Sequence, residues 1–430
     1  MKHKNMDRRQ FLKGATVAVG FPYVVSSSAL GKAGTVAPSN RIIMGCVGMG
    51  WHGPGNMNNF MSQDDCKVVA ICDIDEKHLK RGVGMVNGKY RNKDCAAYHD
   101  YREMMARDDI DAVMLAVPDH WHSLLAIEAA RNGKDIYGEK PLAHTVAEGR
   151  AICDAVKRYG VVWQTGSWQR SQSNFRQGAE IARNGWLGNI HTVEVGLPSG
   201  FYERQDETIM SPPAELDYNF WLGPAPCAPY APARCHVNWR WHLDYGGGQL
   251  MDWIGHHGDI AHWGMGTEYT CPVEVEGFGE YAREGLWNAA TKFRVKARYS
   301  NGMNMLISGG HEDIRSGTKW IGEDGWVWVD RSGKIEASNP DILNAKPGSN
   351  DIRLFKSPGH WRNFLDCVKS RSETVTPVEV AHHSVIPGHL GQIAMLTGRK
   401  IKFDPETETI IGDSVASRML SKSMRSPWQY

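Results

Sequence analysis

The chain has 430 residues, which is too many for one ordinary hydrophobic core and predicts more than one domain. Its 41% apolar and 23% charged residues are typical of a soluble globular protein. Because 49 basic residues balance 48 acidic ones, the formal net charge of +1 argues against nucleic acid or anionic lipid as a partner.

The N-terminal segment, residues 1–38, has the pattern of an export signal. Arg8 and Arg9 precede Phe11 and Lys13, and an apolar stretch and then small residues follow. This resembles a twin-arginine signal, so we expect a periplasmic or otherwise exported protein; the alternative is a disordered basic N-terminus. The apolar stretch is short for a bilayer, and no later stretch has eighteen consecutive apolar residues, so no membrane span is predicted.

Residues 39–166 have the pattern of a dinucleotide-binding domain. A buried strand leads into Gly48, Gly50 and Gly53, which have G-x-G-x-x-G spacing. Such glycines make a tight turn and let a pyrophosphate approach the N-terminus of a helix. A second strand ends at Asp73, whose carboxylate suits the ribose hydroxyls of NAD and would repel the 2′-phosphate of NADP. We therefore expect NAD as the cofactor, with NADP less favoured.

Strands and helices continue to alternate up to residue 166, which predicts a doubly wound parallel sheet with ligands at the carboxyl ends of its strands. These ends place Pro118, His120, Glu139 and Lys140 beside the predicted cofactor. We expect one histidine of "PDHWH" to pack by the nicotinamide. Trp168 and Arg170 follow the last strand, and Arg240 lies in "NWRWHLDYGGG"; these residue types suit a sugar ring and its hydroxyls.

The stretch "DWIGHHGD" places two carboxylates and two histidines within a few helical turns. At about 100° per residue, Asp252, His256 and Asp259 share one stripe, and His257 faces the other way. The stretch could bind a metal, move a proton or fill a core. The spacing matches no known zinc site, and none of the nine scattered cysteines forms a C-x-x-C pair, so we expect no metal. His256 suits a general base because its pKa lies near neutrality.

Residues 167–430 are richer in strands, joined by Gly, Asn and Asp turns, with a Pro-rich stretch between residues 203 and 238. "RYSNGMNM" predicts a hairpin with an Asn-Gly turn. Two later segments, "PGHWRNFLDCVKSR" and "PVEVAHHSVIPGHLGQIAMLTG", predict helices, and the second of these should pack back against the first domain.

The chain resembles the Gfo/Idh/MocA oxidoreductases, which include glucose–fructose oxidoreductase and inositol 2-dehydrogenase. The glycine motif, "AVPDHWHSLLAIEAARNGKDIYGEKPLA" and "GGGQLMDWIGHHGD" carry the resemblance, which extends over the chain after the signal. It implies a Rossmann domain and then an α/β domain with a large, mostly antiparallel open sheet. It also implies a nicotinamide cofactor, a sugar or polyol substrate, and a dimer or tetramer.

The resemblance also implies roles for individual residues. Lys140 of the E-K-P motif would hydrogen-bond the reacting hydroxyl, and His256 would be the general base. Asp252 would bind a neighbouring hydroxyl or orient the site, and Asp259 would contact the substrate further along. The Lys140–Pro141 bond is expected to be cis, which would direct Lys140 into the cleft.

Three functions remain open on the sequence. The leading one is an NAD-dependent oxidoreductase that takes a hydride from a carbinol carbon of a sugar, sugar derivative or polyol. The second is a redox-neutral glycosidase or lyase that oxidises the sugar only transiently, and the third is a non-catalytic sugar-binding protein. Because free NAD is scarce outside the cytoplasm, the export signal favours a tightly bound cofactor.

Overall fold

The computed structural model describes residues 36–200, 206–345 and 347–430. Its contacts divide the chain into Met1–Arg41 and Ile42–Tyr430. In the first unit the described residues form one 3₁₀ turn, Pro38–Asn40, and the predicted twin-arginine signal lies outside the described residues. No helix in the described part of the chain is long and apolar enough to cross a membrane.

The second unit begins with a six-stranded sheet whose paired strands are all parallel. Its strands are β1 Ile42–Val47, β2 Cys66–Cys72, β3 Ala96–Tyr98, β4 Ala112–Leu115, β5 Asp135–Gly138 and β6 Trp163–Thr165. The order β3-β2-β1-β4-β5-β6 reverses direction between β1 and β4. Such a switch point opens a crevice at the carboxyl ends of the strands, which is where doubly wound sheets bind ligands.

Helices follow the strands of this sheet. They are Gly53–Met61, Glu76–Tyr90, Tyr101–Met105, His122–Arg131 and Val146–Tyr159. Asp75 caps the second of them by accepting hydrogen bonds from the amides of Lys77 and His78. Thr145 caps the last through the amide of Glu148, and Gly160 ends it in the left-handed conformation.

The second half of this unit is built on a nine-stranded sheet. Its strands are β7 Ile190–Leu197, β8 Glu274–Tyr281, β9 Ala290–Arg298, β10 Asn304–Gly309, β11 Gly317–Gly322, β12 Gly325–Val329, β13 Ile335–Ala337, β14 Ile401–Asp404 and β15 Thr409–Ile410. The order is β13-β12-β11-β7-β10-β9-β8-β14-β15, and only β7 and β10 pair in parallel. The chain is therefore α/β with a mostly antiparallel second sheet, and β9 and β10 form the predicted Asn-Gly hairpin.

The helices of the second half pack on one another, on the large sheet and back onto the first half. They are Ser173–Arg183, Tyr218–Leu222, Gly248–Trp253, Asp259–Met265, Pro340–Asn344, His360–Ser370, Val378–Thr397 and Ser414–Arg418, with a wide π turn at Ile254–Gly258. The long helix Val378–Thr397 packs against Val146–Tyr159, where Arg150 Nη1 donates to Glu379 Oε1 at 2.7 Å.

Two irregular segments cover the carboxyl end of the six-stranded sheet. In the first, residues 206–247, Leu216 forms an isolated bridge with Asp75. The second is a tail near residues 425–428. Its Trp428 ring packs edge-on against Trp121, with centroids 4.8 Å apart, and against Phe220 at 5.2 Å. Both of those aromatic residues line a large cavity at this end of the sheet.

Candidate active site

A cavity of about 1000 Å³ lies at the carboxyl ends of the six strands, between the glycine turn and the helix that carries "DWIGHHGD". Four groups of residues line it. They are the turn residues Gly48, Gly50 and His52; the strand-end residues Asp73, Pro118, Asp119, Glu139 and Lys140; the tryptophans Trp168, Trp239 and Trp253; and Arg240, Asp252, His256 and Arg331. Its size and position are those of a small-molecule or cofactor site.

The glycine turn fits a pyrophosphate. Gly48 has a φ of +85°, and a Cβ there would lie 2.3 Å from the Ala116 carbonyl oxygen. A Cβ on Gly53 would lie 1.8 Å from the Gly48 carbonyl oxygen, so this glycine lets the helix start against the turn. The space beside Gly50 is open, since the nearest atom to an added Cβ is 3.9 Å away. Gly48 and Gly50 thus face the cavity, and Gly53 packs behind them.

Asp73 lies at the end of β2 and braces the same turn. Its Oδ2 accepts the Met49 amide at 2.6 Å, and its Oδ1 accepts the Asp75 amide at 2.9 Å. Burial raises the pKa of Asp73, although these two amides act in the opposite direction. The carboxylate also lines the cavity, where a ribose could reach it. Arg81, which sequence reasoning missed, donates to the carbonyl oxygens of Met49 and Gly50 beside it.

Lys140, Asp252 and Arg240 form a charged cluster in the wall of the same cavity. Lys140 Nζ donates to Asp252 Oδ1 at 2.9 Å and to its carbonyl oxygen at 2.8 Å. Arg240 Nε donates to the same carboxylate oxygen at 3.1 Å. Burial opposes ionisation of Asp252, but the two cations outweigh it and lower the pKa of this carboxyl to about 2. Asp252 is therefore ionised at neutral pH and orients both cations.

His256 lines the cavity beside this cluster and is 5% exposed. Its Nδ1 is buried and has no hydrogen-bond partner among the described residues. Burial lowers the pKa of His256 well below its usual value, and the charges of Lys140 and Arg331 lower it further. The imidazole is therefore neutral at pH 7 and can accept a proton.

Glu139 anchors the loop before Lys140. Its Oε1 accepts from Asn56 Nδ2 at 2.7 Å and lies 3.3 Å from His52 Nε2. Burial opposes ionisation of Glu139, but the hydrogen bond and charge of His52 prevail and its pKa is lowered. The Lys140–Pro141 bond is cis, as the resemblance predicts.

Arg170 and Asp259 lie outside the cavity lining, contrary to the prediction that they bind substrate. Arg170 Nε and Nη2 donate to the two Asp259 carboxylate oxygens at 2.7 and 2.9 Å, and both side chains are at least 96% buried. The physical reason is the π turn Ile254–Gly258, which adds one residue to the helix and rotates the residues after it by about 100°. Asp259 thereby leaves the stripe that Asp252 and His256 share.

His120 also departs from its predicted place beside the cofactor. It is 2% exposed, lies outside the cavity lining, and its Nε2 is 3.1 Å from the Trp221 carbonyl oxygen. Its bond to the segment 206–247 accounts for this position. Pro118 lines the cavity as predicted, and so does Asp119, which was not predicted. Asp119 is 4% exposed, and burial raises its pKa well above the usual value despite the nearby charges of Lys140 and Arg240.

One group of side chains in the described ranges could hold a metal ion, and it is not "DWIGHHGD". Asp75, His78 and His236 have ligand atoms within 4.8 Å of one another at the Asp73 end of the cavity. In "DWIGHHGD" the two carboxylates point apart, since Asp252 pairs with Lys140 and Asp259 with Arg170. His257 faces away from both, as its helical phase predicts, and its Nδ1 lies 3.1 Å from Gln169 Nε2.

A parallel switch-point sheet, a glycine turn and an acidic residue at the end of β2 together define a dinucleotide-binding fold. Residues 42–167 match the model of the "Oxidoreductase family, NAD-binding Rossmann fold", and residues 171–430 match that of the "Oxidoreductase family, C-terminal alpha/beta domain". The chain therefore belongs to the Gfo/Idh/MocA oxidoreductase family.

Solved structures with the same fold include sugar-modifying enzymes. The aldose-aldose oxidoreductase of Caulobacter crescentus aligns with a TM-score of 0.63 at 18% identity, over 84% of this chain and all of that one. The WlbA dehydrogenase of Bordetella pertussis, in complex with NADH and UDP-GlcNAcA, also has a TM-score of 0.63, at 19% identity over 85% and 99% of the two chains. At these identities the likeness establishes the fold alone.

Curated relatives match a shorter part of the chain. A glycosyl hydrolase family 109 protein of Shewanella sp. (strain W3-18-1) is 31% identical over 172 residues, which are 36% of this chain and 38% of that protein. The corresponding protein of Shewanella woodyi is 33% identical over 175 residues, with the same coverage. The chain thus spans less than two fifths of the length of these relatives.

Proposed function

We propose that the protein is an NAD-dependent oxidoreductase that removes a hydride from a carbinol carbon of a sugar, sugar derivative or polyol. One observation carries the proposal: Lys140, Asp252 and His256 line the same cavity as the glycine turn and Asp73. A dinucleotide held by that turn, by Asp73 and by Pro118 would supply the hydride acceptor at the Lys140 end.

Each residue of the cluster has a separate role in proton transfer or in substrate binding. The neutral imidazole of His256 accepts the hydroxyl proton of the substrate. Lys140 donates a hydrogen bond to the same oxygen and stabilises its developing negative charge, while Asp252 fixes the ammonium in place. The face of Trp168 packs against the sugar ring. Burial of the site excludes water, which strengthens each of these electrostatic interactions.

NAD is the proposed cofactor because the Asp73 carboxylate lies where a 2′-phosphate would have to fit. Tight binding is proposed together with export by the twin-arginine route, since that route carries folded proteins. Native mass spectrometry of protein purified without added cofactor tests this point. Dinucleotide bound in about equal amount to protein supports tight binding, and protein free of dinucleotide refutes it.

A second function, redox-neutral glycoside cleavage, is supported by the family 109 glycosyl hydrolases that match part of the chain. Oxidation of one sugar carbon acidifies the neighbouring C–H. A base then removes that proton, the glycosidic substituent leaves, water adds, and return of the hydride restores the oxidation state. The third possibility, a non-catalytic sugar-binding protein, is disfavoured by the presence of Lys140, Asp252 and His256 together.

One assay separates the three functions. The protein is incubated with a panel of sugars, polyols and nitrophenyl glycosides, with NAD either in excess or in an amount equal to the enzyme. Net oxidation accumulates NADH in proportion to substrate. Redox-neutral cleavage releases nitrophenol over many turnovers with no NADH accumulation. Sugar binding with neither product supports the third function, and Lys140→Met is the control for contaminating activity.

We also propose a homo-oligomer, a dimer or tetramer, formed through the open face of the nine-stranded sheet. On β8 the side chains of Phe278 and Tyr281 are 63% and 36% exposed, which is unusual for large aromatic residues. Light scattering after size-exclusion chromatography tests this, and Phe278→Glu should shift the mass toward the monomer. A monomeric parent protein would refute the proposal.

A further inference from the structure

Arg331 enters the cavity from a turn whose shape is fixed. The turn joins β12 and β13, and Asp330 Oδ1 accepts the Ser332 amide at 3.0 Å and the Ser332 hydroxyl at 2.6 Å. From the helix Ser173–Arg183, Asn174 Nδ2 donates to the carbonyl oxygens of Asp330 and Lys334 at 2.8 and 3.1 Å. The backbone that carries Arg331 is therefore held from inside the turn and from a neighbouring helix.

The guanidinium of Arg331 has aromatic neighbours and no acidic partner. It lies 4.4 Å from the ring centroid of Trp168 and 4.9 Å from that of Trp253, and all three residues line the cavity. Among the described residues, no carboxylate or carbonyl oxygen forms a hydrogen bond or ion pair with it, and Asp330 is engaged within its own turn. Burial lowers the pKa of Arg331, as expected for a cation without a partner.

The charges at this end of the cavity do not balance. The side chains of Lys140, Arg240 and Arg331 are cationic, and Asp252 is the ionised carboxylate that faces them. Three positive charges face the one carboxylate of Asp252, and the nearby carboxylate of Glu139 is engaged by His52 and Asn56, so positive charge is in excess here. Burial raises the pKa of Asp119 well above its usual value despite the nearby charges of Lys140 and Arg240, so this carboxyl is a weaker counter-charge than Asp252. Partly buried cations in such excess are costly unless an anion enters the site.

We propose that Arg331 binds an anionic substituent of the substrate, a carboxylate or phosphate attached to the sugar, and so selects acidic sugars. This deepens the proposed function, on which it rests. The planar fork of a guanidinium matches both groups, and the two indole rings exclude water from its faces. Trp168 then serves two purposes, since one ring holds the guanidinium and borders the space for the sugar.

The anion also acts on the catalytic base. The positive charge of Arg331 lowers the pKa of His256, together with burial and with the charge of Lys140. A carboxylate or phosphate bound to Arg331 offsets that charge, and the imidazole becomes a stronger base when the acidic substrate is bound. A neutral sugar leaves the field on His256 unchanged, so the site discriminates against it in proton transfer as well as in binding.

Three probes that share the glucose ring and differ in their substituent test the proposal: D-glucose, D-glucuronate and D-glucose 6-phosphate. Their dissociation constants are measured by titration calorimetry on the protein saturated with NAD, for the parent, Arg331→Met and Arg331→Lys. Arg315→Met is the matched control, because Arg315 also stacks on a tryptophan, Trp328, but pairs with Glu336 and lies outside the cavity lining.

We expect at least one acidic probe to bind about 10- to 100-fold more tightly than glucose, and Arg331→Met to remove that advantage. Arg331→Lys should keep part of it, and Arg315→Met should keep all of it. Preference for glucuronate identifies a carboxylate, and preference for the 6-phosphate a phosphate. Equal binding of glucose and both acidic probes, no binding of either acidic probe, or equal losses in Arg331→Met and Arg315→Met overturns the proposal.

The turnover assay on the same variants keeps this proposal separate from the proposed function. Binding of an acidic probe that depends on Arg331, without NADH or aglycone from any substrate, supports the anion site and refutes the enzymatic function. Turnover of acidic sugars that is no faster than turnover of neutral sugars, and that is unchanged in Arg331→Met, supports the enzymatic function and refutes the anion site.

Discussion

Lys140 donates a hydrogen bond to Asp252 at 2.9 Å, although the two residues are 112 positions apart in the chain. Lys140 follows β5 of the parallel sheet, and Asp252 lies on the helix Gly248–Trp253 that packs on the second sheet. The candidate active site therefore exists only when the two halves of the fold are packed together. Mutation of either partner acts on the reacting end of the cavity and leaves the glycine turn intact.

Lys140→Met and His256→Ala should each lower kcat by about 10²–10⁴, the usual range for loss of an acid–base group. Affinity for NADH should change much less, because the glycine turn and Asp73, rather than these two side chains, are the expected dinucleotide contacts. Steady-state kinetics and fluorescence titration of NADH measure the two effects. Lys157→Met, an exposed substitution on the helix Val146–Tyr159, is the surface control.

The double variant refines this test. Because both groups serve one proton transfer, their losses should be less than multiplicative. Near-parental turnover in the single variants, or a loss of NADH binding instead, would show that the reacting end has been misplaced.

Asp73→Ser should raise affinity for NADP relative to NAD, because it removes repulsion between a carboxylate and the 2′-phosphate. Asp73 also accepts the Met49 amide at 2.6 Å, so Ser should weaken both cofactors by loosening the glycine turn. Asp73→Asn separates the two effects, since it keeps an acceptor and removes the charge. Titration of each variant with NAD and with NADP gives the ratio of the two affinities. A parent protein that binds the two equally contradicts the assignment.

Asp259→Ala should destabilise the fold by about 3–5 kcal/mol, because it leaves Arg170 buried without its partner. KM for the substrate should hardly change, since neither residue lines the cavity. The double variant Asp259→Leu with Arg170→Met should recover much of the lost stability, because it leaves no buried charge without a partner. Chemical denaturation and steady-state kinetics measure the two quantities. A KM that rises tenfold with unchanged stability would restore Asp259 as a substrate ligand.

The fold should lose stability between pH 7 and pH 5. Burial lowers the pKa to about 3 in His120, His257 and His389, and to about 4 in His262 and His360. Histidines in the unfolded chain have a pKa near about 6.5, so below that pH the unfolded chain binds more protons than the folded one. Each histidine then costs up to about 1.4 kcal/mol per pH unit.

Thermal denaturation across this range measures the effect, and His389→Gln should reduce the slope of stability against pH by about one proton. Glu148 and Asp119 act in the opposite direction, because burial raises the pKa of Glu148 to about 7 and that of Asp119 well above its usual value, but two groups do not offset five. A melting temperature that is constant or rises on acidification contradicts the prediction.

Local sequence pattern was sufficient for the parallel sheet and for several residues that line the cavity. Gly48, Asp73 and Lys140 follow strands whose buried residues are contiguous, and the carboxyl ends of parallel strands must lie at one edge. Asp252 and His256 were found because they are four residues apart on a helix, one turn from each other.

The errors have physical causes that single-sequence periodicity does not contain. The π turn that moves Asp259 out of the stripe depends on packing around Ile254–Gly258. His120 lies beside the carbonyl oxygen of Trp221, which is 101 positions away in the chain. Arg331 belongs to a hairpin turn that has no recognisable motif. The sequence gives no signal for Arg331, because Asp330 directly precedes it and the structure alone shows that Asp330 is engaged by Ser332 while Arg331 lies on Trp168 and Trp253.

The packing of Trp428 against Trp121 and Phe220 bears on the order in which the protein is made. Arg425 Nη1 joins the same contact by donating to Asn219 at 2.7 Å. During synthesis, Gly48 to Asp73 leave the ribosome hundreds of residues before Trp428 does, so the glycine turn is translated long before the tail that packs on Trp121 and Phe220. A chain shortened before residue 425 would therefore lack the ring and the guanidinium that pack on this wall of the cavity.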